Sequence, residues 1–299
     1  MNSIINILSK NGPLTGKELH NISGLEELLL WRKCNITSGI ISSIFGHRYL
    51  RLDKSVKGYA RLSPSIKREF LTYTVIGLEK DFSKIQFKSK SLLKRIKNIS
   101  REKYSLALNT VRKLVESDEK KNIIIDGAVF IIAGDIVYEM AHGEPRPESS
   151  TGELVMGSDL DIIIVCDGLS TETMRRLDRS IYKEKFYLLH NPSYHEEIDY
   201  VLKDIKTVSN QVEFDNFQSM VACKILNEGG FLFGSKRIFE KVKGMLCENR
   251  IPEKLKEMEN AALKNRKDAE QNLLIDNCML SNEECMKLFY TVEESEEIF

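Results

Sequence analysis

The sequence predicts an α+β protein: a small mixed β-sheet with flanking helices, preceded by a basic module of helices and a hairpin and followed by an α-helical C-terminal region. Three observations carry this prediction. Apolar residues recur at helical spacing at the front of the chain and through the connector over residues 81–120, short apolar runs bounded by turn residues lie in the middle, and charge is divided unevenly. Residues 1–104 hold 20 Lys and Arg against 8 Asp and Glu, while the remainder holds 24 against 36, so a neutral total hides a basic front and an acidic back. With 299 residues there is room for one large domain or two to three smaller ones.

Residues 1–80 read as the basic module. Ile4, Ile5, Ile7 and Leu8 give a first helix that Asn11, Gly12 and Pro13 stop, and Thr15 with Glu18 three residues on has the spacing of a capping box opening a second. "SGLEELLLWRKCN" and "TSGIISSIFGHR" are two further short helical candidates. "YLRLDKSVKGYARLS" alternates, turns around Asp53 to Gly58 and returns from Tyr59 to Leu62, as a hairpin does. Helices followed by a basic hairpin are the order expected of a winged helix-turn-helix-like module, which binds DNA in many settings and docks proteins in others. In the first case Lys54, Lys57 and Arg61 on the hairpin, with Arg32, Lys33 and Arg48 nearby, would neutralise phosphates; in the second the same charges are a solvated face.

Residues 81–120 form a charged helical connector, with Leu92, Leu93, Ile96, Ile99, Leu106, Leu108, Val111, Leu114 and Val115 at three- and four-residue steps. Residues 121–208 carry the chemistry. "NIIIDGAVFIIAGD" reads as a strand ending at Gly134 and Asp135, and a helical stretch from Ile136 to Ala141 leads into the polar loop "HGEPRPESSTGELVMG". "SDLDIIIV" is a strand opening on Asp159 and Asp161, whose side chains share a face because successive residues of a strand alternate. A helix over roughly Ser170 to Lys183 and the strand "HEEIDYVLKD" follow, the latter placing Glu197, Asp199 and Val201 on one face. Residues 209–299 are expected to be helical, with Phe231 and Phe233 in a core and the acidic end from Glu283 solvated or frayed.

Three carboxylates gathered at a sheet edge repel one another unless a cation neutralises them, and hard divalent metals with oxygen ligands suit them best. Two such ions activate an attacking hydroxyl and stabilise a leaving pyrophosphate. An Asp-x-Asp pair at a strand end also caps a loop in many proteins, so the pair alone leaves both readings open. Its setting resembles the polymerase β-like nucleotidyltransferase superfamily: "FIIAGD" stands for the first strand and its glycine turn, "SDLDIIIV" for the metal-binding strand and "EIDYVL" for the third acid. The resemblance covers about 80 residues. It implies a nucleotidyltransferase core in which Asp159 and Asp161 bind Mg²⁺ or Mn²⁺ and Asp199 completes the site, deprotonating or orienting the nucleophile. Gly134, with its neighbour Asp135, would let the backbone approach an NTP, and Lys224, Lys236 or Arg237 in a helical region closing over the nucleotide would contact phosphates.

Two features depart from the family pattern. Asp135 stands where Ser or Gly is usual, and the interval from Gly134 to Asp159 is long. Either the loop over residues 141–156 is an insertion that brings Arg146, Ser149, Ser150 or Thr151 to the substrate, or Gly157 and Ser158 have taken over the phosphate-binding role. The expected activity is transfer of a nucleoside monophosphate from an NTP to a hydroxyl of a nucleic acid, small molecule or protein; the alternative is a DNA-binding regulator that keeps the fold without the activity.

Other classes are disfavoured. There is no G-x-x-x-x-G-K-[ST] loop and no G-x-S-x-G elbow around Ser158, and His142, His190 and His195 lack a paired spacing. The longest apolar runs, such as residues 123–125 and 162–166, fall far short of the roughly 18–20 residues that span a bilayer. "MNSIINILSKNG" has no basic segment before an apolar one, and six cysteines without a CxxC pair suggest reduced thiols rather than a zinc knuckle. A cytoplasmic protein without a membrane partner is expected.

Overall fold

The computed structural model describes residues 4–148, 152–275 and 281–290. The class is α+β, and the chain divides into two compact units, residues 1–95 with 258–299 and residues 96–257. No helix among the described residues is long and apolar enough to cross a membrane.

The first unit opens with helix α1 (Ile4–Asn11), which buries Ile4, Ile7 and Leu8. A two-residue strand β1 (Leu14–Thr15) leads into α2 (Gly16–Ser23), where the predicted capping box is formed: the Glu18 amide donates to Thr15 Oγ1 and the Thr15 amide to Glu18 Oε2. Helix α3 (Glu27–Ile36) follows, burying Leu28, Leu30, Trp31 and Cys34. The segment expected to be a fourth helix is instead strand β2 (Ile40–Ile44). Its three β-branched isoleucines suit a pleated surface better than a helix, and they pair along the fully buried strand β5. Between them lie the hairpin β3 (Tyr49–Leu52) and β4 (Ala60–Ser63), helix α4 (Ile66–Tyr73), and then β5 (Thr74–Leu78) itself. The three-stranded antiparallel sheet has the order β1-β5-β2, and the hairpin is a separate two-stranded sheet.

Helix α5 (Phe82–Glu116) is the expected connector, 35 residues in one piece. After it the chain does not extend directly into the sheet, as "NIIIDG" had suggested, but makes helix α6 (Lys121–Gly127) before strand β6 (Ala128–Ile132). The apolar run is longer than its sheet: β6 pairs residue for residue with β9 (Leu160–Cys166) only from Ala128↔Cys166 to Ile132↔Ile162. The surplus is helical and turns Ile124 inward. The helix expected from Ile136 to Ala141 shrinks to a single 3₁₀ turn over Gly134–Ile136. The polar loop that follows contains a short hairpin, β7 (Pro145–Pro147) with β8 (Leu154–Met156). Ser149, Ser150 and Thr151 lie outside the described residues.

Helix α7 (Thr171–His190), capped by Ser170, crosses from β9 to the parallel strand β10 (Ile198–Asp204). Then come α8 (Ile205–Gln211), α9 (Phe217–Glu228), strand β11 (Gly230–Gly234) and α10 (Lys236–Glu248). The C-terminal region is therefore not wholly helical, because β11 pairs antiparallel with β6 and gives a mixed sheet of order β10-β9-β6-β11. The predicted core residue Phe233 stacks at a tilt on Phe130 across that pair, ring centroids 6.3 Å apart. Leu160, Ile162 and Ile164 face a core shared with Ile124, Phe130, Leu177 and Ile181, each worth about 1.5–3 kcal/mol of burial. Asp161 falls on the opposite face.

Helix α11 (Ile251–Leu274) and α12 (Asn282–Phe289) end the described chain. Far from frayed, α12 has its own capping box at Ser281, and it buries Cys285 and Phe289 in the core of the first unit, where the Phe289 ring lies 5.9 Å from Trp31. In the same unit Arg48 makes a bidentate pair with Glu69 at 2.6 Å for each contact, and Arg266 reaches Glu69 at 3.2 Å and Glu270 at 2.7 Å. The described cysteines are free, and burial pushes the Cys34 and Cys166 thiols up to about 12.

Candidate active site

The carboxylates meet at the N-terminal end of β9 and β10. These strands are parallel with Asp199 opposite Asp161, so the two side chains stand beside each other on the sheet face turned away from the core. One step earlier the Leu160 amide donates to the Glu197 carbonyl at 2.9 Å, which brings Glu197 level with Asp159. Asp199 is exposed, Asp159 and Asp161 half-buried.

Gly134 backs this cluster. The Ala133 amide donates to the Asp161 carbonyl at 3.0 Å, and Gly134 then turns with φ +68° so closely against Asp161 that a Cβ there would overlap its carboxylate. Only glycine combines that backbone with that approach. Gly157, at φ +67°, is fitted in the same way against the His142 carbonyl.

Asp135 and Ser158 are tied together. The Ser158 hydroxyl donates to Asp135 Oδ2 at 2.9 Å and accepts from the His142 amide at 3.2 Å, while the Ser158 amide donates back to the His142 carbonyl at 3.1 Å. Ser158 is buried. Asp135 thus holds the serine preceding Asp159.

Arg146, on the β7–β8 hairpin, supplies the countercharge. Its Nε donates to the Gly157 carbonyl at 3.0 Å, and its Nη2 donates to Asp159 and, at 3.1 Å, to Glu197 Oε2. Lys185 Nζ lies 3.9 Å from the other Glu197 oxygen. Glu197 is the participant that sequence reasoning left without a role, although the alternation that selected Asp199 places it on the same face.

Lys224 lies at this end of the sheet, paired with Glu228 and 5.5 Å from the centre of the Tyr138 ring, whose hydroxyl also donates to Glu228. Lys236 and Arg237 are not brought to the acids. They follow β11 beside Ala128, and Arg237 approaches Asp167 at 3.6 Å, about 20 Å along β9 from Asp161. The histidines do not gather: His142 sits beside Ser158, His190 stacks on Phe186, and the His195 carbonyl accepts from the Met156 amide.

On the hairpin of the first unit, Lys54 and Lys57 are exposed, whereas Arg61 is buried and pairs with Asp53 at 2.9 Å. Arg61 therefore points its charge inward and does not present it to a phosphate. Arg48 is committed to Glu69, and Arg32 Nε donates to the Leu273 carbonyl at 2.6 Å.

Oxygen donors on one sheet face suit a hard divalent cation, and the Gly134 turn leaves the Asp161 carboxylate unobstructed by any side chain at that position. Among the described residues, no three His, Cys, Asp or Glu are already gathered closely enough to hold a metal. Asp161 and Asp199 stand opposite each other in register, and Asp159 is engaged by the Arg146 guanidinium. Comparison with protein-family models, curated proteins and solved structures finds no match.

Proposed function

We propose that the chain is a metal-dependent nucleotidyltransferase that moves a nucleoside monophosphate from an NTP to a hydroxyl acceptor and releases pyrophosphate. The observation that carries this reading is the register Asp161↔Asp199 on parallel strands, with Asp159 at the mouth and the side-chain-free turn of Gly134 against Asp161. Asp159 and Asp161 would hold Mg²⁺ or Mn²⁺, which when bound offsets phosphate charge and favours in-line displacement at phosphorus. Asp199, the exposed member, accepts the proton of the attacking hydroxyl. Lys224, exchanging its partner Glu228 for the triphosphate, stabilises the negative charge of the departing pyrophosphate.

The first unit supports a nucleic-acid role. Three helices interleaved with a sheet of order β1-β5-β2 suit a winged helix-turn-helix-like module, in which the segment between β2 and β5 occupies the wing. Lys54 and Lys57 at its hairpin tip are placed for phosphate contacts.

A second reading rests on Arg146. A guanidinium seated on Asp159 and Glu197 already neutralises part of the cluster, as it would in a DNA-binding regulator with an inactive transferase fold. One experiment separates the two. The purified protein is incubated with each α-labelled NTP, Mg²⁺ or Mn²⁺, and RNA, DNA or lysate, beside an Asp159→Asn/Asp161→Asn double variant. Label transferred by the wild type alone supports the enzyme and identifies its acceptor. Absence of transfer from a folded protein, with salt-sensitive duplex binding that Asp161→Asn leaves unchanged, selects the regulator.

A further inference from the structure

Helix α7 turns one side toward the sheet, burying Leu177, Ile181 and Leu188. Its opposite side is unusual for a solvated helix. Arg175, Arg179, Tyr182, Lys183, Phe186 and His190 follow one another at three- and four-residue steps or immediately beside that row, so they form one stripe. Tyr182 and Phe186 are 62% and 57% exposed, far more than aromatic rings need be on a helix with an apolar face already available. Phe186 and His190 lie nearly parallel, centroids 3.9 Å apart and planes 27° from each other, which presents a ready stack of flat groups. Among the described residues no acid pairs with Arg175, Arg179 or Lys183, whereas Arg176, off the stripe, is paired with Asp118 at 2.6 Å.

We propose that this face of α7 is a binding platform for single-stranded nucleic acid. Aromatic rings accept bases of any sequence by stacking, and unpaired cations at intervals between them take up the phosphates. An apolar protein partner would leave three cations without counterions, and a double helix hides its base faces; charge and ring exposure together fit a single strand. The stripe is about 22 Å long from Arg175 to His190, the scale of the shorter single-strand sites of about four nucleotides.

The direction of the helix gives the platform its use. Because α7 joins parallel strands it runs antiparallel to both, so its His190 end lies at the N-terminal end of β10, where Glu197 and Asp199 are. Tyr187 continues the aromatic surface to Tyr194, 6.0 Å away in the loop that enters β10. Helix α7 packs on the sheet face opposite Asp161 and Asp199, so a strand held on it ends at the same end of the sheet and reaches the carboxylates by passing the edge strand β10, where its terminal hydroxyl becomes the acceptor. This last step rests on the transferase reading; the binding itself does not.

The test is fluorescence anisotropy of a labelled oligouridylate titrated with the full chain. Wild type binds, and Tyr182→Ala/Phe186→Ala weakens binding at least tenfold with an unchanged thermal midpoint, since both side chains are exposed. Arg175→Gln/Arg179→Gln/Lys183→Gln removes about two units of salt slope, equivalent to about twentyfold between 50 and 200 mM salt. Failure of the wild type to bind overturns the proposal, as does binding unaffected by the aromatic variant. Self-association in sedimentation that the same variant abolishes would assign the face to a second copy of the chain and overturn it too. Asp159→Asn/Asp161→Asn keeps the two readings apart: oligouridylate binding retained by a chain that transfers no label in either form removes the transferase and leaves the platform. Transfer without stacking-dependent binding does the reverse.

Discussion

Gly134 meets Asp161 with nothing between backbone and carboxylate, so the site has almost no tolerance at that position. Gly134→Ala should cost about 2–4 kcal/mol, from a β-carbon in the left-handed region and a forced displacement of Asp161. Urea denaturation measures the first effect, and loss of NTP-dependent transfer the second. Arg146 makes an opposite prediction for binding. Arg146→Gln frees Asp159 and Glu197 of their guanidinium, so without metal the carboxylates repel and the thermal midpoint falls; Mn²⁺ restores it and binds at least tenfold more tightly than to wild type by calorimetry. Unchanged Mn²⁺ affinity would mean that Arg146 and the cation do not compete. At Asp53, burial disfavours the charge, but the Ser55 hydroxyl and amide and Arg61 outweigh it and hold the carboxyl below its usual 3.8. The folded value lies below the unfolded one, so the stability that Asp53 adds is present above about pH 4 and lost as pH falls through the folded value. Asp53→Asn should therefore flatten the acid limb of the stability curve, followed through the fluorescence of Trp31.

The elements show what a single chain reveals and what only packing decides. Strand β9 was legible as a short apolar run entered by Asp159 and Asp161, and β10 from the alternation of Glu197, Asp199 and Val201 with Ile198, Tyr200 and Leu202. Helices α5 and α7 were legible from their apolar stripes, although α7 runs to His190, beyond the expected end at Lys183. Strand β2 was misread because Ile40, Ile41 and Ile44 also fit a helical spacing, and the partner that settles the matter, β5, lies more than 30 residues on. The run from Asn122 was misread for the converse reason: local preference favoured a strand, but β9 offers β6 only five pairing positions. Arg146 was noticed only as one of four loop residues that could reach a substrate; its seat on Asp159 depends on a hairpin that the polar composition of that loop does not announce. Between elements of the first unit, Glu69 of α4 is the shared acceptor of Arg48 and Arg266. Glu69→Gln leaves two largely buried guanidinium groups short of charge, and we expect a loss of about 3–5 kcal/mol in chemical denaturation.

On the scale of the whole molecule, the basic and acidic portions of the sequence do not coincide with the two units, because residues 258–299 join the first and residues 96–257 form the second. Phe289, fully buried, belongs to the same core as Leu8, Leu19 and Trp31. Phe289→Ala should destabilise that unit by about 3–5 kcal/mol, read directly from the single tryptophan, Trp31, whose ring is its neighbour. A change in Trp31 emission without a shift in midpoint would show that α12 contributes no stability there.

The seating of Arg48 on Glu270, 222 residues apart, bears on the order in which the protein is born. At about 5–20 residues per second on the ribosome, Arg48 emerges roughly 10 to 45 s before its partner. Residues 96–257 are complete in the meantime and free to fold while translation continues. The unit whose synthesis starts first is the last to close, and during that interval its half-built core, Trp31 included, is the surface on which a chaperone would act.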